Sequence, residues 1–383
     1  MRDKLFTVCI LLIIFIIPIA VFSKEDTDIS VAENRSLFQK KDITFGNLNE
    51  DLESVLQDQF IWGESLKKIY NTGKNKIVKL ELAIIEKNNI MKLLPMGNDL
   101  YRLANSDYLL YSPKTVESIQ DSYKNVIDNF NKQSEENKNI SFYLYNIVND
   151  HTLNNKEEFE NFISENLNDD IEFLSSTTIN SVEDYKNSFY KTDHHWNKDG
   201  QYKGYIDILN LLKVENPIQI EGTKTFEGVK FHGSKDRKLG YYDLYDDFTV
   251  NVFKYPEMNI EINGEKVSDY GAADSFYAGD IPKGNVDENY YGDFYGGDDG
   301  IVKIQVGANS DKEDILIFAN SYSNPLNKLI ASHFRNTYII DLRNYGKQRD
   351  EIFKMSDFLG ENHIDKVLMI ADYNYFKENA IIN

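Results

Sequence analysis

The segment ILIFANSYSNPLNKLIASHF, residues 315–334, joins an unbroken apolar run to an apolar-periodic one across a few small polar residues. A short run of consecutive apolar residues suits a strand buried on both faces, as in a parallel sheet. The periodic part, NPLNKLIASHF, predicts a helix that starts at once, with Pro325 in its first turn. Ser321 then lies on the turn, at the carboxyl end of the strand and beside the positive end of a helix. Backbone N–H groups there can stabilise an oxyanion, which is the placement acyl-transfer chemistry requires. A serine in such a turn can instead serve only as a helix cap. Ser323 and Asn324 sit nearer the expected cap position, which leaves Ser321 for another role.

The same α/β rhythm continues on both sides. Downstream, TYIIDLR (residues 337–343) and DKVLMIA (365–371) read as strands, with a helix over RDEIFKMSDFL stopped by Gly360 between them. Upstream, NISFYLYNIV (139–148) and IEFLSSTT (171–178) flank a helix at KEEFENFISENL (156–167), a βαβ unit. Between the two blocks, from about 215 to 310, short alternating pieces such as FTVNVFKY and MNIEING are separated by Gly, Asn and Asp. That stretch reads as a β-rich insertion. The expected fold class is α/β: a three-layer α/β/α domain whose parallel sheet is assembled from both sides of the insertion.

Ahead of the insertion stands YKTDHHWNKDG, residues 190–200, entering a predicted helix that Asn197 or Asp199 could cap. Asp193, His194 and His195 bring a carboxylate and two imidazoles to consecutive positions on a loop. A metal site is one reading, but the other histidines (His151, His232, His333, His363) are scattered. VDENYYGDFYGGDDG also lacks the glutamate that an EF-hand loop needs. No metal or other cofactor is therefore expected. The alternative joins the two segments: Ser321 as nucleophile, an imidazole as general base, and Asp193 to orient it. A serine hydroxyl is almost un-ionised at neutral pH and needs such a base. The residues by themselves do not choose between His194 and His195.

The 383-residue chain carries a formal charge of −20, which argues against nucleic-acid binding, since that rests on clustered Lys and Arg. After Arg2 and Lys4 comes LFTVCILLIIFIIPIAVF, residues 5–22, long enough for a membrane anchor or a signal-peptide core. Residues 1–23 are read as that export segment. The rest is then exported, either anchored at the outer face of the cytoplasmic membrane or secreted. Its single cysteine, Cys9, lies inside the export segment, so the exported part can form no internal disulfide. Residues 24–90 are read as an N-terminal arm followed by amphipathic helices over 45–90, and residues 91–383 as the α/β domain with its insertion.

TDHHW followed by a helix, together with a strand, turn, serine and helix more than a hundred residues later, resembles the DHHW family and the related alginate O-acetylation proteins. AENRSL (32–37) and LQDQF (56–60) resemble that family's entry segment, so the likeness spans nearly all of the exported chain. The resemblance implies an SGNH-hydrolase-like domain and an extracytoplasmic O-acetyltransferase or acetylesterase acting on a polysaccharide. It also implies a membrane-bound O-acyltransferase as partner. It assigns the triad to Ser321, His195 and Asp193. Arg343, Asn374 and Tyr322 are carried as candidate substrate or oxyanion contacts. One departure stands out. The family commonly has Gly-Asp-Ser or a close variant, whereas this chain has Ala319-Asn320-Ser321. Asn keeps the shape of Asp, loses its charge and gains a donor. That change motivates the rival expectation, a glycan-binding or scaffold protein without the chemistry. The aromatic stretch from Tyr290 to Tyr295 could form a sugar-stacking wall.

Overall fold

A computed structural model of the chain describes residues 15–60 and 93–378, except 17, 31–34, 105, 241–242, 269–289, 308–310 and 350, together with residues 73 and 382. The apolar stretch at 5–22 lies mostly outside the described residues. No helix among the described residues is long and apolar enough to cross a membrane. Of the helices expected over 45–90, Leu48–Asp58 is observed and most of the remainder falls outside the described residues.

Strands β1 (Leu93–Gly97), β2 (Leu100–Leu103) and β3 (Leu109–Tyr111) form a small antiparallel sheet. The expected βαβ unit follows as β4 (Ser141–Asn146), helix Lys156–Asn166 and β5 (Ile171–Ser175). From the insertion come β6 (Ile220–Phe231), β7 (Asp246–Phe253), β8 (Met258–Ile262), β9 (Glu265–Val267) and β10 (Ile301–Val306). The α/β rhythm resumes with β11 (Ile315–Phe318), β12 (Asn336–Ile340) and β13 (Lys366–Ala371).

Among the described residues, eight strands make one mixed sheet in the order β9-β8-β10-β12-β11-β13-β4-β5. The run from β12 to β5 is parallel, and it draws on segments from both sides of the insertion. Its strands alternate between two buried faces. Tyr143, Tyr145, Ile315, Ile317, Leu368 and Ile370 pack on one side with helix Lys198–Leu212. Phe142, Leu144, Leu316, Phe318, Val367 and Met369 pack on the other with helix Gln120–Glu136. A period of two with both phases buried is what covers a sheet with helices on both faces, giving three layers.

Three sequence expectations change. The insertion adds antiparallel strands to the expected parallel sheet: β10 pairs antiparallel with β12 and continues the sheet through β8 and β9. Without β10, β12 would present an unpaired edge of N–H and C=O groups. Asn263 and Gly264, both at positive φ, make the β8–β9 turn. In the second change, the helix expected over 349–359 is replaced by two, Leu342–Arg349 and Met355–Glu361, and Gly360 lies inside the second rather than ending it. The third concerns the serine turn. The cap is Asn320, whose side chain accepts from the Tyr322 N–H, so Ser321 itself opens a 3-10 turn, Ser321–Leu326, ahead of helix Asn327–Ala331.

Candidate active site

The loop at 190–195 is closed at its base. Phe189 and Trp196 form an isolated β-bridge, and the Tyr190 N–H donates to the His195 carbonyl at 3.2 Å. Trp196 is buried on Gly204, where an added Cβ would come within 2.6 Å of the indole. Asn197 caps the following helix by accepting from the Asp199 and Gly200 N–H groups. Bridge, anchor and cap leave Asp193, His194 and His195 little freedom to move.

The carboxyl ends of the parallel strands meet this loop. His195 Nε2 lies 2.8 Å from Ser321 Oγ, and His195 Nδ1 lies 2.6 Å from Asp193 Oδ1. An ionised carboxylate only accepts, so Nδ1 carries the proton, and Nε2 is left to accept from the serine hydroxyl. The ring of Tyr291 stacks on His195 with centroids 3.9 Å apart, and its hydroxyl donates to the Ser321 carbonyl at 3.3 Å. Ser321 stands at the start of a helical turn in which the Tyr322 N–H donates to Asn320 Oδ1 at 3.2 Å and the Ser323 N–H to the Asn320 carbonyl at 3.0 Å, which makes the Ser321 N–H the candidate oxyanion donor. His194 turns elsewhere: its Nδ1 is 2.7 Å from Ser234 Oγ, and its carbonyl accepts from the Tyr322 hydroxyl at 2.5 Å. Burial and the neighbouring His195 push His194 down to about 3, against the pull of Asp193, so it is neutral near pH 7.

Asp193 is held from behind by residues 40 or so further along the chain. The Ser234 N–H donates to Asp193 Oδ2 at 2.6 Å, and the Gly233 N–H donates to Thr192 Oγ1 at 3.0 Å. Thr192 Oγ1 in turn donates to Asp246 Oδ2 at 2.6 Å. Next to Ser234, the fully buried Lys235 pairs with Asp150 at 2.6 Å and donates to the Tyr185 hydroxyl and the Leu109 carbonyl. Burial alone would raise the Asp193 carboxyl. The two imidazoles and the hydrogen bonds from His195 and the Ser234 amide outweigh burial and hold it well below the usual carboxylate range. Gly233 is required for this contact: a Cβ there would meet Asp193 Cβ at 2.4 Å and Asp193 N at 2.5 Å. Gly233→Ala is expected to cost about 3 kcal/mol by overpacking and to reduce ester hydrolysis. Urea unfolding alongside p-nitrophenyl acetate turnover checks both; an unchanged midpoint would mean that the turn relaxes freely.

Ser321 and His195 open into a cleft of about 350 Å³ that is also lined by Arg343, Asn374 and Tyr322. Arg343 is committed to a forked pair with Asp341, at 2.9 and 2.5 Å, and lies 3.4 Å from both Asp298 and Glu378. Although burial opposes it, this carboxylate cluster keeps the guanidinium firmly charged, above its ordinary value. Asn374 sits in helix Tyr373–Lys377, just past β13. The Tyr322 ring is buried and its hydroxyl is spent on His194, so this side chain positions the loop. Asp193, His194 and His195 do gather their ligand atoms within 4.8 Å, as a metal would need. Within the protein, however, those atoms are engaged with one another and with Ser234.

Asn320 Nδ2 donates to Asp372 Oδ1 at 2.8 Å, and Asn149 Nδ2 donates to Asp372 Oδ2 at 3.2 Å. The donor that this chain has in place of an aspartate is therefore used on a buried carboxylate behind the serine. Asp372, Gly233, Ser234 and Lys235 are not legible as site residues in the sequence, and Tyr291, read there as part of a sugar-stacking wall, stacks on His195 instead. Each acts across a long separation in the chain, and no local spacing marks it.

No family model matches the sequence, and no curated protein matches it. Solved structures do. A DHHW family protein from Eubacterium siraeum matches with 19% identity and a TM-score of 0.55, covering 76% of this chain and 99% of that one. PatB1 of Bacillus cereus matches with 20% identity and a TM-score of 0.56, covering 72% and 96%. A structure of PatB1 with a sulfonyl adduct matches with 16% identity and a TM-score of 0.52, over 72% and 95%. The likeness is one of fold: the chain shares the overall architecture of these structures.

Proposed function

We propose that the protein is a serine-dependent O-acetyltransferase or acetylesterase that acts on hydroxyl groups of a polysaccharide. The observation that carries this reading is the unbroken series Asp193, His195, Ser321, at 2.6 and 2.8 Å, ending in an open cleft at the carboxyl rim of a parallel sheet. Ser321 Oγ attacks the acetyl carbonyl carbon while His195 Nε2 takes its proton. The resulting oxyanion is held by the Ser321 N–H at the start of the turn. Collapse breaks the bond to the leaving alcohol, which receives the proton from His195, and leaves an acetyl-serine. A sugar hydroxyl, or water, then gives its proton to His195 and attacks that ester, releasing the serine. Asp193 keeps the imidazole in the required tautomer and stabilises its charged form.

Acetyl as the group and a glycan as the acceptor come from the DHHW resemblance. The same resemblance supports an exported protein that receives acetyl groups from a membrane-bound O-acyltransferase, with residues 1–23 as its export segment and 24–90 as a spacer to the α/β domain. The rival reading, a glycan-binding scaffold without chemistry, rested on Asn320. The engagement of that amide with Asp372 leaves the Ser321 to His195 contact intact, which favours the enzyme. PatB1 carries a sulfonyl adduct in one of its structures, and a sulfonyl fluoride is the natural probe here too. The expected result is one modified peptide containing Ser321; modification of any other residue, or of none, overturns the assignment.

A further inference from the structure

Beside the cleft lies a second cavity, of about 150 Å³, with walls formed largely by the half-buried rings of Tyr202, Phe253, Tyr255, Phe294 and Tyr295. Asn324 lines both cavities. Two short helices connect them. On Tyr290–Tyr295, Tyr291 stacks on His195 and contacts Tyr295, ring to ring at 5.0 Å, one turn further on. On Ser321–Leu326, Ser321 lines the cleft, Asn324 lies at the boundary of the two, ~6 Å along a 3-10 rise, and Pro325 lines the second cavity. That step is of the order of one sugar unit in a chain.

We propose, resting on the acetyl-transfer reading above, that the second cavity is a subsite for one pyranose ring of the glycan, the unit next to the one presented to Ser321. A pyranose has an apolar C–H face and a polar rim. The cavity offers aromatic rings for the first and, for the second, the side-chain oxygens of Asn251 and Tyr202, which can accept from sugar hydroxyls while the Asn251 amide and the Tyr202 hydroxyl donate to the Lys198 and Ile218 carbonyls. Among the described residues, the single charged one lining it is Lys328, which sits over the Tyr255 ring at 5.0 Å, and none is a carboxylate. The stretch from Tyr290 to Tyr295 thus divides: Tyr290 is buried in the core, Tyr291 serves the histidine, and Phe294 and Tyr295 face the sugar site.

The test uses Ser321→Ala protein, which cannot turn over, titrated calorimetrically with cello-, xylo-, chito- and mannuronate hexasaccharides. At least one series is expected to bind, with Tyr255→Ala in the same background weakening it about tenfold and Tyr255→Phe restoring it. In the active protein, Tyr255→Ala raises KM for the acetylated hexasaccharide about tenfold and leaves kcat within a factor of about two. Equal affinity with and without the Tyr255 ring, or binding by no series, overturns the subsite. Failure of the chemistry is read separately, from sulfonyl labelling of Ser321, so a labelled serine with an indifferent Tyr255 rejects the subsite alone.

Discussion

Ser321→Ala and His195→Ala are each expected to lower p-nitrophenyl acetate turnover by roughly 10⁴-fold, and the double variant to be no slower than either single one. The reason lies in the single proton path. His195 has its Nδ1 edge engaged with Asp193 and its Nε2 edge on Ser321, so removing either end disables the same step. Additive losses would mean that the two residues act independently, and a Ser321→Ala protein as fast as the native one would end the proposed mechanism. His194→Ala serves as the contrast. Its ring is 3.8 Å from that of His195 but is turned to Ser234, so a smaller loss is expected.

Asn320→Asp, the change toward the sequence commonly seen in the DHHW family, is expected to destabilise this chain by about 3 kcal/mol at neutral pH. It would set a second carboxylate within 2.8 Å of Asp372, where both side chains are buried. Two carboxylates that close cannot both ionise cheaply, so one holds a proton and its folded-state pKa rises. With a raised folded pKa, the folded state binds more protons than the unfolded chain above about pH 4, and stability falls as pH climbs from there to the shifted value. The deficit relative to the native protein should thus be small near pH 4 and full at pH 7 or above. Urea unfolding of both proteins at the two pH values measures it; a deficit independent of pH would remove the carboxylate pair as its cause.

What the chain discloses by local pattern is the parallel part of the sheet and the two segments that meet at its rim. Apolar runs such as 315–318 and 367–371 advertise strands covered on both sides, Ser321 stands just past the end of the first, and Asp193 and His195 stand on a loop ahead of a helix. Three things stay hidden, for different reasons. Strands β8 to β10 look like any hairpin-forming sequence, and only the open edge of β12 explains why they join the main sheet. The cap at Asn320 was misplaced because Ser, Asn and a nearby proline offer several equivalent starts, and the choice depends on Asp372, 52 residues away. The choice between His194 and His195 is made by Ser234 and Tyr291, neither of which any spacing rule ties to the motif.

The histidine and the serine are separated by 126 positions, with an inserted stretch of strands between them. An unfolded chain therefore holds an ordinary alcohol and an ordinary imidazole, which meet only when the final strands dock. Long-range closure of this kind comes late and slowly. Whatever the pair can do is thereby tied to completion of the fold, and its reactivity toward a serine probe becomes a clock for the last step of folding.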